Sequence, residues 1–203
     1  MKPIHIVVLI SGGGTNLQAL IDAEASGLLR SGKIVGVISS SPDAYGLVRA
    51  SAADIPTAVV QKKLLGSQEA FEEVLRKHLD HFEADLIVLA GFMSILSVDF
   101  TSRYPERIIN VHPSLIPSFC GKGYYGLRVH EAALAYGVKV TGATVHFVNE
   151  IPDGGRIILQ KSVAVARNDT PETLQKRVMR QAEWKILPKA VEMVAKSMLQ
   201  HNH

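Results

Sequence analysis

The sequence predicts an α/β fold: a doubly wound, mainly parallel twisted sheet that closes with a C-terminal β-hairpin and a long helix. Three observations predict it. Ile4 to Ile10 is a mostly β-branched apolar run that leads into Ser11-Gly-Gly-Gly-Thr-Asn16 and then into apolar residues at helical spacing, which is the pattern of strand, turn and helix. Leu86 to Ala90 and Ile108 to Val111 are further apolar runs of strand length, as expected for strands buried on both faces of a parallel sheet. Thr141 to Val148 and Arg156 to Val165 flank the turn residues Asn149 to Gly155, which predicts a returning pair of strands near the C-terminus.

Composition narrows the class. With 203 residues, 47% hydrophobic and 20% charged, the chain has enough apolar side chains for a full core. A formal charge of +3 without a run of five like charges argues against nucleic acid as the main partner and suits small anionic ligands. Cys120 is the only cysteine, so neither an internal disulfide nor a cysteine metal cluster is possible, and a reducing cytoplasm is the expected compartment. The eight histidines show no His-Glu-x-x-His spacing, so no metal is expected. The first apolar run is too short for a membrane span or a signal-peptide core.

Taken in order, the first strand feeds a helix set by Leu17, Leu20, Ile21, Ala25 and Leu28, and Thr15 with Gln18 predicts a capping box at its start. Glycines at a helix N-terminus let backbone N–H groups approach an anion closely, and the helix dipole favours negative charge there. The turn has no Walker Gly-Lys-Ser/Thr, and Leu17 stands where a dinucleotide fingerprint needs its third glycine. No acidic residue ends the second strand, Val35 to Ser39, to hold an adenosine ribose. A phosphate monoester site on Gly12, Gly13, Gly14, Thr15 and Asn16 is the expectation, and a tight turn without a ligand is the alternative.

Ser40 to Asp43 reads as an exit turn, Gly46 to Ala53 as a short helix and Thr57 to Val60 as a third strand. Ser67 to His81 is an amphipathic helix with His78 and His81 on its polar side. The loop Gly91 to Leu96 after the fourth strand is unusually apolar, which fits a flat hydrophobic ligand or packing under the next helix.

Asn110 and His112 have one residue between them, so on an extended strand both point to one face. That face lies where an open α/β sheet binds ligands, beyond the carboxyl ends of its strands. The pair joins a neutral hydrogen-bond donor to the side chain that titrates near neutral pH. A buried histidine satisfied by its neighbours is the alternative reading. The loop Gly121 to Gly126 precedes a helix from Leu127 to Tyr136, and the alternation along Thr141 to Val148 predicts one face more buried than the other. Asp153 sits on a stiff Pro-Asp-Gly-Gly corner, where forming the turn is the commonest role of an aspartate. Thr170-Pro171-Glu172 starts the long helix with proline in its first turn, and Pro188 marks a bend or a junction. With no repeat or linker, residues 1–203 are expected to form one domain.

Ser11 to Gln18, Leu89 to Ser97, Asn110-Val-His-Pro-Ser-Leu-Ile-Pro117, Gly142 to Val148 and Asp153-Gly-Gly155 together resemble the folate-dependent phosphoribosylglycinamide formyltransferase family. Five motifs in order, from the first strand to the last helix, carry the resemblance. It implies a formyltransferase-type fold and transfer of a formyl group from 10-formyltetrahydrofolate to the amino group of glycinamide ribonucleotide in purine synthesis. It implies that the glycine turn takes the ribose phosphate, that Glu183 contacts the same substrate, and that His112, Asn110 and Asp153 are catalytic. Met93, Ser94, Ile95 and Leu96, with Val148, Asn149, Glu150, Ile151, Pro152 and Asp153, would hold the pterin, and Gln68 would lie near the folate tail.

Ser94 and Gln68 stand where family members often carry arginine, so positive charge is missing near that tail; Trp184 replaces a frequent histidine. The resemblance implies small-molecule partners only, and a monomer or homodimer. The related deformylase carries an N-terminal regulatory domain and the related methionyl-tRNA formyltransferase a basic C-terminal one. Neither is expected in a chain whose pattern starts at residue 4 and ends at His203. A non-catalytic folate- or nucleotide-binding module is the remaining alternative.

Overall fold

The computed structural model describes residues 2–201. Its strands are β1 (Ile4–Ile10), β2 (Gly32–Ser39), β3 (Thr57–Val59), β4 (Leu86–Leu89), β5 (Ile108–His112), β6 (Val140–Phe147) and β7 (Ile157–Ala164). They form one sheet in the order β3-β2-β1-β4-β5-β6-β7. The first five in that order run parallel, and β6 and β7 are antiparallel to their neighbours. The helices are α1 (Thr15–Ala25), α2 (Tyr45–Ala52), α3 (Lys62–Leu65), α4 (Gln68–His81), α5 (Val98–Ser102), α6 (Leu127–Tyr136), α7 (Pro171–Val178) and α8 (Trp184–His201). No helix among the described residues is long and apolar enough to cross a membrane.

β1 shows why its sequence is almost wholly apolar. Ile4, Ile6, Val8 and Ile10 pack on one face against Leu17 and Leu20 of α1 and Leu187 and Val191 of α8. Val7 and Leu9 pack on the other face with Phe71, Leu75 and Leu79 of α4. A strand covered on both faces gains burial at every position, so alternation disappears. After β1 the chain moves outward through β2 and β3, then returns to place β4 and β5 on the other side. The strand order therefore reverses between β1 and β4, and the carboxyl ends of β1, β4 and β5 frame the crevice of an open α/β sheet.

Local expectations differ from the structure at three places. α1 starts at Thr15 as predicted, but the capping box is absent: Gly14 is the N-cap, in the left-handed region at φ 68°, with no side-chain cap. Gln18 instead donates from Nε2 to Asp22 Oδ1 at 2.9 Å. β6 is buried on both faces rather than one. The Ser114–Ile116 segment covers its second face, where Thr144 Oγ1 donates to the Ser114 carbonyl at 2.7 Å and accepts from Ile116 N–H at 3.1 Å. The C-terminal helical segment starts at Pro171 as expected, behind a capping box of Thr170 and Thr173, but its interruption lies upstream of Pro188, in a π-helical turn at Met179–Glu183. Proline has no N–H to reach the carbonyl four residues earlier, and the widened turn ends just before Trp184, whose carbonyl Pro188 cannot bond.

Candidate active site

Two clusters of polar groups meet the crevice. The first is the glycine turn between β1 and α1. Gly46 N–H donates to the Gly12 carbonyl at 3.0 Å, so α2 is laced to the turn. A Cβ on Gly14 would lie 2.5 Å from Gly46 Cα, and the φ of 68° already disfavours other residues, so this position needs glycine twice over. Asn16, buried in the first turn of α1, donates from Nδ2 to Glu183 Oε2 at 2.6 Å. The π turn is what carries Glu183 to this contact. Burial pushes the Glu183 carboxyl up to about 7, against the lowering effect of the Asn16 amide. Asn16 Oδ1 is buried without a partner. The structure thus joins Asn16, and with it the turn Gly12 to Thr15 expected to meet the substrate, to Glu183 across 167 positions of sequence.

The second cluster lies at the end of β5. His112 is buried, with 4% of its surface exposed, and its Nε2–H donates to the Phe119 carbonyl at 2.9 Å. Its Nδ1 is 3.5 Å from Asp153 Oδ2. Asp153 Oδ2 also accepts the Gly121 N–H at 2.8 Å. Residues 119–121 therefore touch both members of the pair. Phe119 and Asp153 both occupy the left-handed region, at φ 49° and 56°, a conformation that non-glycine residues hold at a cost and that tends to collect at functional sites. Gly155 permits the Asp153 corner to fold back, because a Cβ there would overlap the Phe147 carbonyl at 1.8 Å.

His146 joins this cluster and was not singled out as a site residue in the sequence. It stands opposite Asn110 in the β5–β6 register. Its Nδ1–H donates to the Phe147 carbonyl at 2.8 Å, which leaves Nε2 to accept from Asn110 Nδ2 at 3.2 Å. The same Nε2 is 3.5 Å from Asp153 Oδ1. Asn110 therefore reaches Asp153 through His146. The signal was the shared parity of Gly142, Thr144 and His146, but only the strand register says which residue lies across from Asn110.

The electrostatics correct one expectation. Burial holds the His112 imidazole below its ordinary range, and this outweighs the Asp153 carboxylate and the Phe119 carbonyl, which both act upward. A carboxylate beside an imidazole ordinarily raises its pKa; the effect of Asp153 has that sign but is the smaller one. For Asp153 burial acts upward, yet the neighbouring His146 and His112 imidazoles and the Gly121 N–H together hold it below the usual carboxylate range. Both directions favour a neutral imidazole facing an ionised carboxylate.

The residues expected on the folate side split into two groups. Met93 and Ile95 are exposed, Ser94 is half-buried, and Met93 N–H donates to Ser11 Oγ at 2.8 Å, which ties this loop to the end of β1. Leu96 and Val148 pack against the same core, so the two loops adjoin. Val148, Asn149 and Glu150 line a cleft of about 350 Å³ with Val98, Phe147 and Arg156, whereas Ile151 and Pro152 are exposed at the corner before Asp153. Gln68 reaches the loop directly, donating from Nε2 to the Ile95 carbonyl at 3.0 Å and accepting from Lys62 Nζ.

Residues 4–191 match the family model described as formyl transferase. The chain is 43% identical to phosphoribosylglycinamide formyltransferase of Haemophilus influenzae, over 96% of this chain and 88% of that protein. It is 47% identical to the trifunctional purine biosynthetic protein adenosine-3 of Bos taurus, but there it spans only 18% of the relative's length. Among solved structures, glycinamide ribonucleotide transformylase 1 from Symbiobacterium toebii superposes with a TM-score of 0.89 at 41% identity, covering 96% of this chain and 89% of that one. By sequence and by fold, the chain belongs to the formyl transferase family and, within it, to the phosphoribosylglycinamide formyltransferases.

Proposed function

We propose that the chain transfers a formyl group from 10-formyltetrahydrofolate to the amino group of glycinamide ribonucleotide, a step of de novo purine synthesis. The observation that carries the reading is the arrangement of the crevice within this family. A backbone anion turn at the end of β1 and the His112–Asp153 pair beyond β5 open on the same end of one sheet, with an apolar loop from β4 between them.

Each part then has a task. The glycine turn takes the ribose phosphate on free N–H groups and the N-terminal dipole of α1. Glu183, buried with a single amide partner, accepts hydrogen bonds from the sugar hydroxyls; such donors favour its ionised form. The apolar loop of Met93 to Leu96 and the 148–153 corner hold the pterin. With both substrates fixed, the amine meets the formyl carbon as an intramolecular neighbour, which supplies much of the rate.

Attack moves negative charge onto the formyl oxygen, and the Asn110 amide and the His112 N–H are the donors for it. His112 gives up its bond to the Phe119 carbonyl in exchange. The amine loses one proton and the departing folate nitrogen gains one: with Nδ1–H turned to Asp153, Nε2 of the neutral imidazole takes the amine proton, donates it as imidazolium to the formyl oxyanion and then passes it to the leaving nitrogen. Asp153 steadies the imidazolium formed in passing, and His146 holds Asn110 and Asp153 in register.

On this reading the chain works as one formyltransferase domain with its phosphate side in the N-terminal half and its folate side in the C-terminal half. It is a cytoplasmic monomer or homodimer that acts on two small molecules, not on nucleic acid or membrane. Its lone Cys120, a free thiol, and its mild charge support that setting. The test is the rate of conversion of 10-formyltetrahydrofolate to tetrahydrofolate, followed by absorbance, with and without glycinamide ribonucleotide. Conversion that requires the nucleotide is expected. Conversion without it points to hydrolysis, and no conversion in either case points to a binding module.

A further inference from the structure

Arg49, on α2, is absorbed by neither cluster described above. Its Nε–H donates to the Gly13 carbonyl at 2.9 Å and its Nη1–H to Gln18 Oε1 at 3.1 Å. The guanidinium carbon lies 5.0 Å from the centre of the Tyr45 ring. Arg103, Arg156 and Arg177 each pair with a carboxylate, but Arg49 pairs with none among the described residues. An arginine with neutral partners keeps its full charge beside the turn.

The two bonds to the turn also set its direction. The Gly12 carbonyl accepts from Gly46 N–H, and the Gly13 carbonyl accepts from Arg49. In a trans peptide the N–H points opposite to the carbonyl. Tying both carbonyls to α2 therefore turns the N–H groups of Gly13 and Gly14 away from it, and no hydrogen bond among the described residues uses either one. Arg49 also lines, with Thr15, Gln18 and Trp184, a groove of about 460 Å³ that opens beside the turn.

From these contacts we propose that Arg49 is a positioning residue for the substrate's phosphate, holding the glycine turn with its N–H groups outward and leaving an unneutralised positive charge next to the bound anion. The proposal rests on the glycine turn being the phosphate site. The rival is a staple that only joins α2 to α1.

The experiment compares the wild-type chain with Arg49→Ala, Arg49→Lys and Arg49→Gln. Each is measured for KM and kcat with glycinamide ribonucleotide, KM for 10-formyltetrahydrofolate, inhibition by inorganic phosphate, and melting temperature. Losing a hydrogen bond to a charged group predicts a rise of about ten- to a hundredfold in nucleotide KM for Arg49→Ala, with a matching weakening of phosphate inhibition. Turnover and folate KM stay within about threefold, and lysine recovers part of the loss. Arg49→Gln keeps an amide donor without the charge, so it remains informative if the alanine variant does not fold; it is expected to lose phosphate affinity too.

Unchanged nucleotide KM and phosphate inhibition in a folded variant would overturn the proposal. So would a parallel fall of every parameter with lysine no better than alanine. Glycinamide riboside without its phosphate separates the two levels. If the wild type uses it as well as the nucleotide, the phosphate reading itself is wrong. If the wild type discriminates and the Arg49 variants discriminate equally, Arg49 alone is wrong.

Discussion

On the β1 side of the crevice the polar groups are chiefly peptide N–H groups of a glycine turn, whereas on the β5–β6 side they are the side chains of Asn110, His112, His146 and Asp153. The turn on the first side is one continuous stretch backed by α2, and Glu183 reaches it from far along the chain. The second draws on the register of two strands, β5 and β6, and on a loop that touches both His112 and Asp153. The backbone turn itself has nothing to titrate and depends on conformation, Glu183 behind it being the exception, while a side-chain site depends on charge and on distances between separate segments. On the proposed function the difference suits the two tasks: one side would bind a phosphate and the other would move protons.

The largest break in this comparison is expected from His112→Ala. Loss of a positioned acid–base group lowers kcat by about 10²- to 10⁴-fold, with only a modest change in folate affinity; stopped or steady-state absorbance of the folate product measures it. Full turnover in this variant would remove His112 from the chemistry. Asp153→Asn is expected to follow the same direction, with the loss in kcat rather than in nucleotide KM.

A second effect sharpens the comparison on the backbone side. Gly14→Ala has no room and the wrong φ, so it should cost roughly 1–3 kcal/mol of stability and nucleotide affinity together. Gly13→Ala meets nothing within 4 Å and is expected to leave the urea midpoint nearly unchanged. If Gly13→Ala still raises nucleotide KM, the turn is glycine-rich for ligand approach and not for packing. If its KM is unchanged, the anion does not lie against that residue.

The third effect is of pH on stability, and the two sides act with opposite signs. His130 on α6 is fully buried, both ring nitrogens lack partners, and burial pushes it down to about 4. Its folded pKa is below the unfolded one, so its contribution is complete above about 6.5 and is lost as pH falls towards 4. Glu183, pushed up to about 7, binds its proton more tightly when folded, so its contribution is present below the unfolded pKa near 4.5 and is lost as pH rises through 7. Urea unfolding from pH 4 to 8 should therefore show His130→Leu flattening the acid limb and Glu183→Gln flattening the neutral limb. Wild-type and variant profiles of equal shape would rule out these two residues as the source.

The smallest effect concerns the folate tail. Gln68→Arg restores a charge beside the exposed Ile95 loop, where a surface ion pair contributes about 0.2–1 kcal/mol. A fall of up to about fivefold in KM for polyglutamylated formyl-folate, and none for a folate without glutamate, is the expected result.

The parts that were legible in the sequence are those governed by neighbours along the chain. β-branched runs gave β1, β2 and β4, and Ser11 to Asn16 gave the glycine turn before α1, because glycine conformation is a local property. Local rules failed where a tertiary partner competed. Thr15 does not cap α1 because Gly14, held against Gly46, takes the N-cap. β6 lost its exposed face because the Ser114–Ile116 segment lies over it. Pro188 was visible, but not that the helix would widen upstream at Met179–Glu183 and so deliver Glu183 to Asn16.

By itself, then, the sequence determined the sheet, the glycine turn and the presence of Asn110, His112 and Asp153, since period, turn chemistry and residue type are written in order. Only the tertiary structure decided that His146 stands between Asn110 and Asp153, that Arg49 backs the turn without a counter-charge, and that burial overrides Asp153 at His112. Register, distance and desolvation are properties of segments brought together, and no stretch of chain contains them alone.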